Sequence, residues 1–352
     1  LPTVNQELLD RIIRFQVDLR RLEAGTKRQV LEQLEGLQRL LLGELASGEI
    51  RTFSKAKTQE LINRITPILA RHYAAAQEEL QDQLTGLASV QVENAENTLK
   101  TTVFVDREVV LPSETLISRV ANNVLIDGGP LAAWWTRQTQ DIQFKMSAAI
   151  REGVLLNETN DQIISKVIGR GNEPGILPIA RRNVASLVQT ATHQVNNDAR
   201  QLVYEKNDDV IKALIWFTAL DERVCPLCIA RSGKKWRNGA EHTPIGHTIP
   251  FQVPPIHFND RCVLLPETLT FEEMGLDMPE PEIGERASDL GPLSADTTME
   301  QYLRRVSDAQ QNEMMGAGRA QLWRDGKITL GQLLDGRGRE LTLEQIRERH
   351  LR

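Results

Sequence analysis

With 352 residues, 40% hydrophobic and 26% charged, the chain can build two or three compact units around ordinary cores. Its formal net charge of -6 excludes a whole-chain polyanion binder, because phosphate binding needs clustered Lys and Arg, and leaves only local basic patches for that role. The longest apolar runs, such as Leu40-Leu41-Leu42, fall far short of the roughly eighteen residues of a spanning helix, so no membrane segment is expected.

The first residues, Leu1-Pro2-Thr3-Val4-Asn5, lack the basic and then apolar pattern of a secretory signal, and the missing Met fits a trimmed start and proteolytic maturation equally well. Three cysteines, two of them only three positions apart, make a poor disulfide framework but a normal half of a metal site. A reducing cytosol is the expected place of folding.

The fold expected is mainly α, with a small β-rich, zinc-bound module. From Leu8 the apolar residues Leu8, Ile12, Phe15, Leu19 and Leu22 step by fours and threes, the seam of an amphipathic helix. Gly25 is expected to interrupt it. The pattern resumes at Val30, Leu34, Leu37, Leu41 and Leu45, and again at Leu61, Ile65, Leu69, His72, Ala76, Leu80, Leu84 and Leu87. Residues 1–99 therefore read as long amphipathic helices, either a hairpin packed on itself or a docking arm for another protein. Residues 100–130 read as a junction with a short β segment, because Thr101 to Leu111 turn β-branched and alternating.

A helical core is expected over 131–206. Thr159 and Gln162 form a capping box ahead of Ile163, Ile164, Val167 and Ile168, and Gly169 and Gly171 end that helix. Pro178 suits the first turn of the next helix, which carries Val184, Leu187, Ala191 and Val195. Residues 207–275 form the zinc-bound module, entered through a buried strand over Ala213 to Thr218. Pro279-Glu280-Pro281-Glu282 and Gly291-Pro292 mark 276–298 as an extended linker, and 299–352 as a C-terminal helical tail with a cap at Thr342 and Gln345. No internal repeat is convincing.

Cys225-Pro226-Leu227-Cys228 is the spacing at which one tight turn aims two thiolates at a single tetrahedral ion. His257 and Cys262 supply a second pair after a loop long enough to fold back. Four protein ligands leave no open position, so the expected zinc is structural. Asp260 is the alternative fourth ligand, and His242 and His247 lie in the intervening loop. The competing view makes the cysteines small core residues and His257 a hydrogen-bonded loop residue.

The stretch Trp216 to Cys228, with Asp221, Arg223 and Val224 before the cysteines, then Gly233, then Pro254-Pro255-Ile256-His257 and Cys262, resembles the Mu protein F-like family of phage minor head proteins. Ile150 to Gly153, Asn160 to Ile163 and the helix from Ile179 to Asn197 are similar to that family's helical core. Gln310-Gln311, Gly316 to Arg324, Gly326 and Leu341-Thr342-Leu343 are similar to its tail. The resemblance covers about residues 145–350. Two departures stand out: Asp260 occupies a position where the family usually has Cys, and Ser186 to Thr190 replaces an Arg-Thr-Glu signature.

The resemblance implies a structural minor capsid or head morphogenesis protein of a tailed bacteriophage. Such a protein is made in the host cytoplasm, joins the portal, major capsid or scaffold protein in several copies, and stays in the virion, at the capsid interior or portal vertex. It acts there in procapsid assembly and DNA packaging or delivery.

A rival reading is a zinc-stabilised His-Asn-His-like nuclease, which would need a general-base histidine beyond the ligands, for which His242 and His247 are the candidates. Another is non-specific binding of packaged DNA through Arg231, Lys234, Lys235, Trp236 and Arg237. No catalytic triad, phosphate loop or paired-carboxylate constellation stands out, so no enzymatic activity is expected.

Overall fold

The three N-terminal seams become three helices, α1 (Val4–Glu32), α2 (Leu37–Leu45) and α3 (Lys55–Thr102). The computed structural model describes residues 4–102, 108–270, 272–273, 285–294 and 296–351. Gly25 does not interrupt α1. A helical glycine costs only about 1 kcal/mol against Ala, and the burial of Leu19 and Val30 on either side exceeds that. The break comes at Gly36, whose φ of 79° lies in the left-handed region that glycine enters without penalty. On α3 the buried seam runs through Tyr73 rather than its neighbour His72, whose Nδ1 instead meets the Gln33 carbonyl at 2.7 Å.

Residues 103–107, the middle of the β-branched run, lie outside the described residues; Thr101 and Thr102 close α3, and 108–111 carry no strand. Next come α4 (Glu114–Asn122) and a minimal hairpin, β1 (Leu125–Ile126) with β2 (Gly129–Pro130). Its turn is Asp127-Gly128, both at positive φ, the chemistry a two-residue hairpin demands.

The helical core follows as α5 (Leu131–Leu155), α6 (Asn160–Ile168) and α7 (Ile176–Lys206). The Thr159–Gln162 capping box forms in both directions, and Gly169 ends α6. A second small hairpin, β3 (Gly169–Arg170) with β4 (Glu173–Pro174), fills the expected loop. Asn160 ties the α2–α3 connection down: its side chain donates to the Leu45 and Gly48 carbonyls at 3.1 and 2.7 Å and accepts from the Ile50 amide at 3.0 Å.

α3 packs against α5 and α7, and α1 against α3, α7 and the sheet, so seam residues such as Leu19, Val30, Leu41, Leu69 and Leu84 are buried within this chain. α7 is enclosed on nearly every side. Besides its apolar stripe it buries Thr190, Thr192, His193, Asn196, Asn197, Arg200 and Gln201. His193 Nε2 meets Glu23 Oε2 of α1 at 3.1 Å inside this packing.

Beyond α7 the chain forms β5 (Ile211–Phe217), α8 (Pro226–Arg231), β6 (Lys235–Arg237), β7 (Pro244–Ile245) and β8 (Val263–Thr268). The strands make one antiparallel sheet in the order β7-β6-β5-β8. Pro266 is tolerated because β8 is an edge strand. Where an extended linker is expected, the described residues form a hairpin, β9 (Glu285–Ser288) with β10 (Gly291–Ser294); 274–284 lie outside the described residues. The tail comprises α9 (Met299–Leu303), α10 (Asp308–Met315), α11 (Ala317–Arg324), a 3-10 turn (Leu330–Leu333) and α12 (Leu343–His350).

Candidate metal centre

β5 and β8 are hydrogen-bonded neighbours, and their register pairs Phe217 with Val263. The chain therefore leaves β5 towards the cysteine pair at the same sheet end where it enters β8 immediately after Cys262. Two widely separated segments are brought together by strand pairing alone. A bidentate ion pair clamps them further: Arg261 Nη1 and Nη2 donate to Asp221 Oδ2 and Oδ1 at 2.6 and 2.7 Å. Arg261 holds the Asp221 carboxyl below its ordinary range, overcoming the opposing effect of burial.

On the first segment Cys225 is the N-cap of α8, with Pro226 preset in the first turn, and Cys228 follows one turn later. On the second, Pro254-Pro255 has a cis bond, and Asn259 adopts φ 61°, a left-handed conformation asparagine tolerates. The buried polar face of α7 grips this second segment. Thr190 Oγ1 accepts from the Asn259 amide at 3.1 Å, Ser186 Oγ donates to Asn259 Oδ1 at 3.1 Å, and Asn197 Nδ2 donates to the Cys262 carbonyl at 3.4 Å. This explains part of the polar burial on α7.

The result is two overlapping groups of donors, Cys225–Cys228–His257 and Cys228–Asp260–Cys262, each with its ligand atoms within 4.8 Å of one another. His257 Nε2 lies 3.2 Å from Cys225 Sγ and 3.4 Å from Cys228 Sγ. Its Nδ1 sits 2.9 Å from the Phe258 carbonyl, which in the neutral ring would place the proton on Nδ1 and turn the Nε2 lone pair towards the thiols.

Asp260 Oδ1 lies 3.5 Å from Cys228 Sγ, but both of its oxygens are already engaged. Oδ1 accepts from the Cys262 amide at 2.8 Å and Oδ2 from the Ile256 amide at 3.0 Å, so the carboxylate braces the loop that carries His257 and Cys262. Cys262, 3% exposed, has its sulfur 3.7 Å from Thr218 Oγ1, with Cys228 Sγ and a carboxylate oxygen of Asp260 within 4.8 Å. Three sulfurs and an imidazole nitrogen form a soft donor set, and the cluster could hold a metal ion.

The metal-free electrostatics have a definite pattern. Hydrogen bonds from Cys228 and then His257 pull the Cys225 thiol down to about 4 against the effect of burial. Its partnership with Cys225 lifts His257 to about 9. Cys228 is driven well above the usual thiol value by its bonds to Cys225 and Cys262 and by burial, and burial pushes Cys262 up to about 11. Without an ion, the cluster is a thiolate–imidazolium pair beside two protonated thiols. An ion would displace the protons of Cys228, Cys262 and His257, so its binding is tied to pH.

The other sequence-nominated residues fall elsewhere. Trp236, fully buried, donates from Nε1 to the Ile249 carbonyl at 2.8 Å and belongs to the core. Arg231, 1% exposed, donates to the Gly338 carbonyl and Gln252 Oε1. Neither can face a phosphate backbone. Lys235 is paired with Glu267 at 2.9 Å, which leaves Lys234 and Arg237 as a thin remnant of the basic cluster.

His247 is no general base in waiting: Nε2 is 2.8 Å from the Lys235 carbonyl, Nδ1 accepts from the Ile249 amide at 3.1 Å, and burial lowers its proton affinity. His242 lies 3.4 Å from Glu205 and stacks on Phe251. The Asp221–Arg261 clamp and the α7 grip are what the sequence alone does not reveal, since each joins residues far apart in the chain.

Compared with family models, curated proteins and solved structures, the chain matches none. Among the described residues no helix is long and apolar enough to cross a membrane.

Proposed function

We propose that the centre binds one structural zinc ion through Cys225, Cys228, His257 and Cys262, and that the chain is a non-enzymatic minor head protein acting in phage head assembly. The observation that carries the zinc reading is the pair of overlapping donor triads at one sheet end, in which Cys228 is shared with Cys225 and His257 on one side and with Asp260 and Cys262 on the other. Zinc would supply a cross-link between the loop carrying the cysteine pair and the loop carrying His257 and Cys262. Cys262 is the fourth ligand in this reading, with Asp260 as its brace.

A filled tetrahedron leaves no coordination position for water, and the engagement of both His247 nitrogens, with His242 held against Glu205 and Phe251, speaks against a nuclease base. The head-assembly part rests on the family resemblance around the cysteines. In this reading the protein works with the portal, major capsid or scaffold protein, in several copies near the packaged DNA.

The test is metal quantification on the purified chain together with co-purification with a phage portal protein. One zinc per chain, lost in Cys262→Ser and retained in Asp260→Asn, is the expected result, with portal retained through the wash. Zinc that survives Cys262→Ser but not Asp260→Asn would reassign the fourth ligand. Stoichiometric zinc with no affinity for portal, capsid or scaffold protein would sink the assembly role and leave the metal site intact.

A further inference from the structure

The C-terminal tail is separated from the metal ligands by more than thirty residues of sequence. It nonetheless docks beside them, because α8 packs against the 3-10 turn Leu330–Leu333. α8 is a single short helix with two jobs. Cys225 caps it, Cys228 lies within it, and Arg231 is its last residue.

Arg231 is among the largest fully buried side chains in the molecule, and among the described residues no carboxylate pairs with it. Its Nη1 donates to the Gly338 carbonyl at 3.0 Å, its Nη2 to Gln252 Oε1 at 2.6 Å, and its guanidinium lies 5.7 Å from the Trp216 ring centre. A buried guanidinium without a counter-charge is costly. Cys228, Asp260, Cys262 and Cys225 are the groups across the module whose negative charge, when they carry it, would favour the guanidinium against the cost of burial.

Gly338 is shaped to receive it. Its φ is 74°, and a Cβ there would come within 2.5 Å of Arg231 Nη2. The tail around it is ordered by short-range bonds: Asp335 and Leu341 amides donate to the Arg339 and Leu333 carbonyls, each at 2.9 Å.

We propose that Arg231 is a positioning residue that couples the metal centre to the tail: it balances the negative charge of the ligand cluster and latches residues 330–341 onto α8. This rests on the zinc reading above. Three thiolates and a neutral imidazole around a divalent ion carry one net negative charge, and Asp260 adds another beside it. The ligated, charged centre thus favours Arg231 in its buried position, and a fixed α8 holds that side chain against Gly338. Loss of the ion frees α8 and weakens the latch.

The test is hydrogen exchange of the full-length chain, zinc-loaded and chelated, with zinc affinity measured by chelator competition. Chelation is expected to speed exchange across 330–341 by at least about tenfold while the centre of α3 stays protected. In zinc-loaded protein, Gly338→Ala should release 330–341 by a similar factor and leave zinc affinity within about threefold, since it keeps the charge. Arg231→Met should release the tail and also lower zinc affinity by at least about tenfold, and Arg231→Lys should restore the affinity but not the tail's protection.

A tail that stays equally protected in zinc-loaded, Gly338→Ala and Arg231→Met protein overturns the latch. Undiminished zinc affinity in Arg231→Met overturns the charge balance. Failure of the unmodified chain to take up zinc at all overturns the metal reading itself, and is distinguished by the quantification alone.

Discussion

The helical body and the metal module are built on different physics. In α1, α2, α3, α5 and α7, stability is spread over many large apolar side chains at helical spacing, including Leu41, Leu61, Leu69, Leu80, Leu84, Ile150 and Val184. The module has a small sheet with short outer strands, and much of its chain between Thr218 and Cys262 is loop or turn. Beyond the β5–β8 pairing and buried residues such as Leu220, Val224, Ile229 and Ile249, those loops are gathered by a few point anchors: the cysteine and histidine cluster, the Asp221–Arg261 clamp, and the hydrogen bonds from Ser186, Thr190 and Asn197. Distributed burial degrades by increments. Point anchoring fails when one anchor goes.

The largest effect that separates the two regions is expected from metal removal or Cys228→Ser. A structural zinc contributes binding energy on the order of 10 kcal/mol to the folded state, far more than the loops can replace. Loss of the near-ultraviolet signal from Trp216 and Trp236, with most of the far-ultraviolet helical signal retained, is the expected outcome. A cooperative loss of both would merge the two regions into one folding unit and break the contrast.

Next in size is Leu69→Ala, on the fully buried α3 seam. Deleting that side chain removes its burial energy and leaves a cavity, for a cost of about 2–5 kcal/mol in denaturant unfolding of the helical body. Zinc content should not change. If zinc affinity falls with it, the helical body supports the module more directly than α7's few hydrogen bonds suggest.

The same contrast governs what is legible in the sequence. Periodicity is a local property, so the helical seams, the Thr159 capping box and the strand entering the cysteine pair can all be read from neighbours in the chain. Even there the reading slips by one residue at His72 and Tyr73, because a period of three or four leaves either on the edge of the stripe and only the neighbouring helices decide. The cysteine pair and His257 are legible because metal-ligand spacing is itself a sequence pattern. Arg231 and Trp236 are not. In a run of Lys and Arg they look solvated, and their burial depends on acceptors at Ile249, Gln252 and Gly338 that no local pattern announces. The brace at Asp260 is hidden for the same reason, since a carboxylate next to a cysteine reads equally as ligand or support until its hydrogen bonds are known.

The smallest effect probes α7, the element the two regions share. Burial is the main cause lifting Asp198 on this helix to about 6, against the lowering effect of its two hydrogen bonds from Gln194, at 2.9 and 3.0 Å. The folded state therefore holds this proton more tightly than the unfolded chain, whose carboxyl titrates near 3.8. The stabilising contribution is complete below that unfolded value and is lost as pH rises through about 6. Asp198→Asn keeps the shape and removes the charge, so above pH 6 it should stabilise the protein by up to about 3 kcal/mol, and near pH 4 by less than about 1 kcal/mol. Urea unfolding at the two pH values checks this. A gain in the helical transition alone keeps α7 with the helical body; an equal rise in zinc affinity would mean that ordering α7 also orders the loop carrying His257 and Cys262.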